Sequence, residues 1–283
     1  MERIAIVTDS SAGIPPELVR KLDLEIVPIG VQINQQFYRE GVDLVREHFY
    51  AQLDSARSIS TSQPSPGDFL EVYRRAAQKA KEIISIHVTS KGSGTVSVAN
   101  LAKNQLDFPV TVVDSKTAGM AQGFMALAAA QGAKQGRSRD EILEIIDRVR
   151  QQSAVFVAVP TLKYLEKSGR ISSAKRMIAS VLSIKPILGV KDGLVDVVEK
   201  ARSYPRALQR LITLVEESFP LERPQLAIMH SGAYQEALEL KANVEERLDC
   251  AKVFLAEMGA SLAVHGGQGM LGIAAYGGQD LKI

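Results

Sequence analysis

Residues 83–95 read IISIHVTSKGSGT, and this stretch decides the fold class. Its first six residues are rich in isoleucine and valine, which predicts a buried strand. The small residues after them predict a loop, and a helix through about residue 106 follows. Strands predicted at 4–8 and 110–113 are also followed by helical patterns. Alternation of short strands with helices is typical of a parallel α/β sheet.

The other elements of the N-terminal half fit this sheet. Pro15 and Pro16 predict the start of a helix, because proline suits the first helical turn. Residues 24–33 are predicted as one strand. Further helices are predicted near 43–54, 66–80, 117–135 and 138–151, the last with a capping box of Ser138 and Glu141. We therefore expect a Rossmann-like parallel sheet with helices on both faces.

The C-terminal half has a different pattern. Strands at 184–190 and 194–200 flank an Asp192-Gly193 turn and predict a hairpin, so the second sheet is mixed or antiparallel. Further strands are predicted at 154–159, 225–230, 251–256 and 270–276, and helices at 161–167, 205–218, 233–247 and 258–264. We place the boundary near residue 152, which gives α/β domains at 1–152 and 153–283.

The composition agrees with a globular protein of about two domains. The chain has 283 residues, of which 46% are apolar and 23% charged, and its net charge is +2. Because the two signs are mixed along the chain, no nucleic-acid partner is expected. Cys250 is the only cysteine, which excludes an intramolecular disulfide and a cysteine-rich zinc site. This usage fits a reducing compartment.

The sequence predicts a cytoplasmic protein without a stable membrane anchor. The N-terminus enters a strand directly, without the charged and apolar regions of a signal peptide. Residues 117–133 are apolar, but Gln122 and Gln131 interrupt them and the run is shorter than the roughly 20 residues of a membrane span.

Three segments are candidates for chemistry, because ligands of open α/β sheets bind at the carboxyl ends of strands. Residues 60–68 carry several hydroxyls and two prolines before a helix, where helix capping by Ser65 is the simpler interpretation. Residues 92–95 join a strand to a helix and can hold an anion, or form a tight turn capped by Ser93 or Thr95. His265 precedes a glycine-rich loop, although a lone histidine is more often structural.

No metal or other cofactor is predicted. Gly267, Gly269 and Gly272 match a dinucleotide-binding pattern, but too few residues follow them to complete a βαβ unit. The histidines are widely separated and none has the spacing of a zinc site; they are His48, His87, His230 and His265. We therefore expect that the isolated chain does not hydrolyse ATP.

Taken together, seven motifs resemble the DegV family in order and spacing, over residues 3–281. The motifs are Asp9-Ser10-Ser11, Thr61-Ser62-Gln63-Pro64, Ser93-Gly94-Thr95, Asp114-Ser115, Thr161-Leu162-Lys163-Tyr164-Leu165 with Gly169-Arg170-Ile171, Lys185-Pro186-Ile187, and His265 with its glycine loop. Two positions depart from the family pattern. Val96 stands where tyrosine is usual, and Gln268 replaces the proline of a Gly-Pro-Gly loop.

The resemblance implies a function as well as a fold. It implies a lipid-binding protein that holds one long-chain fatty acid between its domains, like the FakB-type subunits of bacterial fatty acid kinase. A separate ATP-binding kinase subunit would phosphorylate the bound carboxylate. Thr61 and Ser93 would bind the carboxylate, within a network of Ser62, Gly94 and His265. Arg170 would belong to the surface that meets the kinase subunit.

Two other classes of function remain open from the residues alone. In a serine hydrolase acting on acyl esters, Ser93 would be the nucleophile, His265 the base and Asp114 the acid that orients it. However, Lys91 interrupts the usual nucleophile elbow. A sugar- or nucleotide-binding regulator would lack both a phosphate motif and a tryptophan platform.

Overall fold

The computed structural model describes residues 4–170, 184–219, 223–279 and 281. Ile171, which belongs to one of the seven motifs, lies outside the described residues. Within the described part of the chain, no helix is both long and apolar enough to cross a lipid bilayer.

The N-terminal half contains a parallel sheet of four strands in the order β2-β1-β6-β7. Its strands are β1 (Ile4–Asp9), β2 (Glu25–Val27), β6 (Glu82–His87) and β7 (Val110–Asp114). Alternate residues of β1 face opposite layers. Ile4 and Ile6 pack in the core that includes helix α5 (Met120–Lys134), whereas Ala5 and Val7 pack in a second core. The expected parallel sheet with helices on both faces is confirmed.

Five further helices accompany this half of the chain. They are α1 (Pro16–Leu22), α2 (Arg46–Leu53), α3 (Pro66–Ala77), α4 (Thr95–Lys103) and α6 (Arg139–Gln151). Helices α3 and α4 supply the second core, opposite α5. The capping box predicted for α6 is confirmed, since Ser138 accepts a hydrogen bond from the backbone of Glu141 and the Glu141 side chain accepts one in return.

The predicted single strand at 24–33 is wrong. Strand β2 ends at Val27, and a separate strand β3 (Gly30–Ile33) begins after Pro28. Proline has no backbone N–H to donate to a ladder, which favours a break at this point. Strand β3 pairs with β4 (Gln36–Arg39) and β5 (Ile59–Ser62) in a small antiparallel sheet. The sequence did not predict this third sheet, which carries Thr61.

The C-terminal half contains a mixed sheet of six strands in the order β10-β9-β8-β13-β11-β12. Its strands are β8 (Ser153–Ala158), β9 (Lys185–Lys191), β10 (Leu194–Ala201), β11 (Gln225–His230), β12 (Lys252–Glu257) and β13 (Leu271–Tyr276). Strands β11 and β12 are parallel, and the other pairs are antiparallel. The predicted hairpin turns at Asp192 and Gly193, which both have positive φ. The expected mixed sheet is confirmed.

The two faces of this sheet have different neighbours. Helices α8 (Tyr204–Ser218) and α9 (Tyr234–Arg247) pack on one face. The other face joins the core that contains α5, so this core extends across both halves of the chain. Two short helices, α7 (Lys163–Ser168) and α10 (Ala260–Gly266), lie against each other. All six strands follow residue 152, but the domain division there stays a prediction.

Candidate functional site

A cavity of about 190 Å³ lies where the carboxyl ends of the parallel strands meet the six-stranded sheet. Ser11 follows β1, Thr89 follows β6 and Gly119 follows β7, and all three line the cavity. Strand β1 has β2 on one side and β6 on the other. The cavity therefore opens at the point where the strand order reverses, which is the usual ligand position in such sheets.

Most of the cavity wall is apolar. Val155 and Val157 of β8 point the same way because strand side chains alternate. The other apolar side chains of the wall are Ile29, Val88, Ala118, Leu165, Leu188, Val190, Val195, Met229, Met258, Leu262 and Met270. Such a wall suits a long hydrocarbon group. Sequence reasoning did not identify these residues, since it could not tell which face of each strand would meet the cavity.

One end of the cavity is polar, and all six predicted site residues line it. Thr61 and Ser62 come from β5, Ser93 and Gly94 precede α4, and His265 lies in the last turn of α10. Arg170 follows α7. Ser62 and Arg170 are exposed, so this end faces solvent. The structure thus brings together residues that are up to 204 positions apart in the chain.

Thr61 and His265 form the central pair of the polar end. The Thr61 Oγ1 and His265 Nε2 atoms are 3.0 Å apart, which is a hydrogen bond. The other ring nitrogen, Nδ1, is buried and has no hydrogen-bond partner among the described residues. Burial, with the nearby positive charge of Arg170, lowers the pKa of His265 to about 4. The imidazole is therefore neutral near pH 7, so one ring nitrogen is a hydrogen-bond donor and the other an acceptor.

Ser93 lies at the start of α4. Its hydroxyl oxygen is 2.8 Å from Thr95 Oγ1 and accepts a hydrogen bond from the Thr95 backbone N–H. Gly94 is the residue before the helix and supplies no side-chain cap. A Cβ atom on Gly94 would lie 3.2 Å from Gln63 Cδ, so glycine permits close packing here. Because the start of α4 lies at the cavity, the positive end of its helix dipole also attracts an anion.

The segment 60–68 serves two purposes. Ser65 and Asp68 form a capping box at the start of α3, with Pro66 at the first helical position, which confirms the simpler interpretation of this segment. Thr61, four residues earlier, pairs with His265 at the cavity.

The residues of the hydrolase alternative do not assemble. Asp114 accepts hydrogen bonds from the Ser90 hydroxyl, at 2.5 Å, and from the Lys116 backbone, at 2.8 Å. The His265 Nδ1 atom that an orienting acid must contact is without a partner in the described structure. Because a triad needs its histidine held by an acid, this arrangement speaks against Ser93 as a nucleophile.

The fold and site define an α/β protein with an apolar cavity that ends in neutral hydroxyl and imidazole groups. The chain belongs to the DegV family: the family model described as "Uncharacterised protein, DegV family" matches residues 3–277.

Relatives with known sequences and structures cover nearly the whole chain. The protein DegV of Bacillus subtilis is 32% identical over 274 residues, which is 95% of this chain and 98% of the relative. A DegV domain-containing protein of Streptomyces coelicolor is 32% identical over 272 residues, covering 95% of this chain and 97% of the relative.

Two solved structures have the same fold. A DegV family protein from Thermus thermophilus, described as binding fatty acid, has a TM-score of 0.91 and 31% identity, with 97% of this chain and 99% of that chain covered. DegV from Bacillus subtilis, described as a fatty acid binding protein, has a TM-score of 0.90 and 30% identity, with 98% and 100% covered.

Proposed function

We propose that this chain binds a single long-chain fatty acid in the cavity, with the carboxylate at the polar end. The observation that carries this proposal is the apolar wall that leads to the Thr61–His265 pair and Ser93. Two DegV structures that match nearly the whole chain are described as binding fatty acids, which supports the same class of ligand.

The apolar wall supplies most of the affinity. Burial of about fourteen methylene groups at ~0.8 kcal/mol each gives up to ~11 kcal/mol before the cost of association. One hydrogen bond to a charged carboxylate contributes ~1.5–3 kcal/mol. The chain of the ligand therefore determines how tightly it binds, and the polar end determines where its carboxylate lies.

The polar end suits a carboxylate that has to react. Thr61 and Ser93 offer neutral hydroxyl donors, and Ser62, Gly94 and His265 complete the surrounding network. Neutral donors orient an anion while leaving an oxygen available as a nucleophile. Arg170 lies at the solvent side of this end and attracts the carboxylate without enclosing it.

The second part of the proposal concerns the fate of the carboxylate. A carboxylate oxygen attacks the γ-phosphorus of ATP, the bond from this phosphorus to the β,γ-bridging oxygen breaks, and acyl phosphate and ADP form. ATP is supplied by a separate kinase subunit in the cytoplasm, and the chain itself carries the substrate. The exposed side chain of Arg170 beside the polar end supports a contact between the two proteins.

Lipid extraction tests the binding step. We expect purified protein from cells that contain fatty acids to release about one equivalent of long-chain fatty acid, identified by mass spectrometry. Well-folded protein that never yields lipid and does not bind added fatty acid would overturn the proposal. Cleavage of acyl esters by such protein would instead favour the hydrolase.

Reconstitution tests the transfer step. We expect acyl phosphate to form from ATP only when a bacterial fatty acid kinase subunit is added to the lipid-bound protein. Formation of acyl phosphate by the isolated chain would refute the division between carrier and kinase, while leaving the binding step intact.

A further inference from the structure

Glu40 is a buried carboxylate with no part in the function proposed above. It is 8% exposed, follows strand β4 and is not among the residues that line the cavity. Burial raises the pKa of Glu40, while hydrogen bonds from Ser10 and Ser261 act in the opposite direction. A buried carboxylate is costly unless it is hydrogen-bonded, so the partners of Glu40 indicate what it holds in place.

The two carboxylate oxygens of Glu40 hold two different elements. Oε1 accepts a hydrogen bond of 2.8 Å from the backbone N–H of Ser261, in the first turn of α10. Oε2 accepts a hydrogen bond of 2.5 Å from the hydroxyl of Ser10, which follows β1. The Ser10 oxygen in turn accepts a hydrogen bond from the backbone of Ile29, at 2.9 Å.

Helix α10 has no cap of its own. Gly259 precedes the helix and makes no side-chain cap. A Cβ atom at this position would lie 2.1 Å from Glu40 Oε1, so glycine leaves the space that the carboxylate occupies. Glu40 therefore caps α10 from another part of the chain, through the hydrogen bond to the Ser261 backbone N–H.

The small antiparallel sheet consequently holds α10 at both ends. Strand β4 leads into Glu40, which binds the first turn of the helix, and β5 carries Thr61, which binds His265 in its last turn. Ser261 and His265 are four residues apart and lie on the same side of the helix. We expect that loss of the first contact lets the helix shift relative to Thr61.

We propose that Glu40 is a positioning residue for His265: by capping α10, it keeps the imidazole against Thr61 at the polar end of the cavity. The importance of His265 for a bound carboxylate rests on the proposed function. The position of His265 in the empty protein does not, and it can be measured separately.

Three variants separate the hydrogen bond from the charge. Glu40→Ala removes the acceptor and the charge, whereas Glu40→Gln removes the charge but keeps one carbonyl oxygen for the Ser261 N–H. Glu257→Gln is the matched control, since Glu257 immediately precedes Met258 near α10 and forms an ion pair of 2.6 Å with Arg46. If Glu40→Ala does not fold, Gly259→Ala takes its place in the experiment. Its added methyl group displaces the Glu40 carboxylate from the start of α10.

Histidine nitrogen NMR of the empty protein gives the decisive readout. The chain has four histidines, so their ring signals can be assigned one by one. In Glu40→Ala we expect the His265 signals to move and its titration midpoint to rise from about 4 towards 6.5, because the ring becomes more solvated. Removal of a negative charge alone acts in the opposite direction. Glu40→Gln and Glu257→Gln should leave the His265 signals near those of wild type.

The backbone amide signals of α8 and α9 distinguish positioning from a general loss of structure, because these helices pack in a separate core on the other face of the six-stranded sheet. We expect them to stay unchanged. His265 signals in Glu40→Ala that coincide with wild type would overturn the proposal, as would an equal effect of Glu40→Gln.

Palmitate affinity of Glu40→Ala should change by less than about threefold, since the apolar wall of the cavity is intact. Failure of wild-type protein to bind palmitate would refute the proposed function but not the NMR result.

Discussion

His87 and His265 each contact a hydroxyl group, yet their surroundings differ. His87 is fully buried, with Nδ1 at 3.0 Å from Asp9 Oδ2 and Nε2 at 2.6 Å from Ser85 Oγ. The Tyr73 hydroxyl donates to the same serine at 2.9 Å. His265 lies at the cavity and has one hydrogen bond to Thr61, while its other nitrogen has no partner among the described residues.

The difference separates a structural histidine from one that can bind a ligand. Asp9, His87 and Ser85 are the residue types of a catalytic triad, but all three are 0% exposed and their partners are protein groups. An unpartnered nitrogen alone is not sufficient, since His230 also has one and does not line the cavity. A free hydrogen-bonding position beside an apolar cavity is the feature that marks His265.

Replacement of Asp9 by asparagine should cause the largest change, a loss in the free energy of unfolding. Asp9 accepts hydrogen bonds from His87, Ser11, Val88 and Gln122. Burial alone would raise the pKa of Asp9, but the hydrogen bond and charge of His87 hold it below the ordinary value. Asparagine offers one acceptor oxygen in place of two. We expect a loss of roughly 3–5 kcal/mol in the free energy of unfolding, measured by chemical denaturation.

Asp140→Asn is the control for this variant, because Asp140 is an exposed carboxylate on α6. Its replacement should change the free energy of unfolding by about 0.5 kcal/mol or less. A similar small change in Asp9→Asn would show that the buried network does not stabilise the fold, and the comparison with His265 would fail.

The pH dependence of stability should show that His265 is buried in its neutral form. Its pKa is about 4 in the folded protein and about 6.5 when unfolded. Between these values the unfolded chain binds more protons, so stability falls as pH falls from 6.5 to 4. At ~1.4 kcal/mol per pKa unit the contribution is at most about 3.5 kcal/mol. His265→Gln should reduce this slope, measured by denaturation across the pH range. An unchanged slope would contradict the burial of a neutral His265.

Loss of the Ser93 hydroxyl should affect ligand binding rather than folding. Ser93→Ala removes one of the proposed donors for the carboxylate and leaves the wall intact, so fatty-acid binding should weaken by only ~1.5–3 kcal/mol. Phosphorylation with a kinase subunit should fall further, because transfer needs the carboxylate in one geometry. His265→Ala should act chiefly on transfer. Fluorescent fatty-acid titrations and coupled acyl phosphate assays measure the two steps. Variants that match wild type in both would show that these residues are wrongly assigned.

Replacement of Arg170 by alanine should cause the smallest change in fatty-acid affinity. Its guanidinium is exposed, where solvent screens the attraction to a carboxylate, so Arg170→Ala should weaken palmitate binding by less than about 1 kcal/mol. Transfer should fall more strongly if this residue meets the kinase subunit. Equal losses in binding and transfer would place Arg170 in the binding site alone.

Much of the fold could be predicted, because hydrophobic periodicity and capping are local properties. The 184–200 hairpin and the Ser138 cap depend on neighbouring residues, and both are confirmed. Pro28 interrupts the β-forming run at 24–33 and is a local signal for the break, but the small sheet itself could not be predicted because it forms through pairing between distant segments. The contact of Asp9 with His87 likewise joins two strand ends and has no local signal.

The candidate site, like the fold, could be predicted from the sequence only in part. Six residues could be selected from motifs beside strand and helix ends, and the structure places all six around one cavity. The sequence could not show that Met229 and Met258 line the wall, because that depends on how the sheets pack. Nor could it distinguish His265 from His87, since only the fold determines whether each ring nitrogen has a partner.

Native mass spectrometry of delipidated protein titrated with palmitic acid tests the central claim most directly. We predict that wild-type protein gains one palmitate per chain. Val157→Glu, which places a charge on the apolar wall, should gain none while keeping its circular dichroism spectrum. A folded wild-type protein that gains no palmitate, or a Val157→Glu variant that gains it equally well, would contradict the assignment of this cavity as a fatty-acid site.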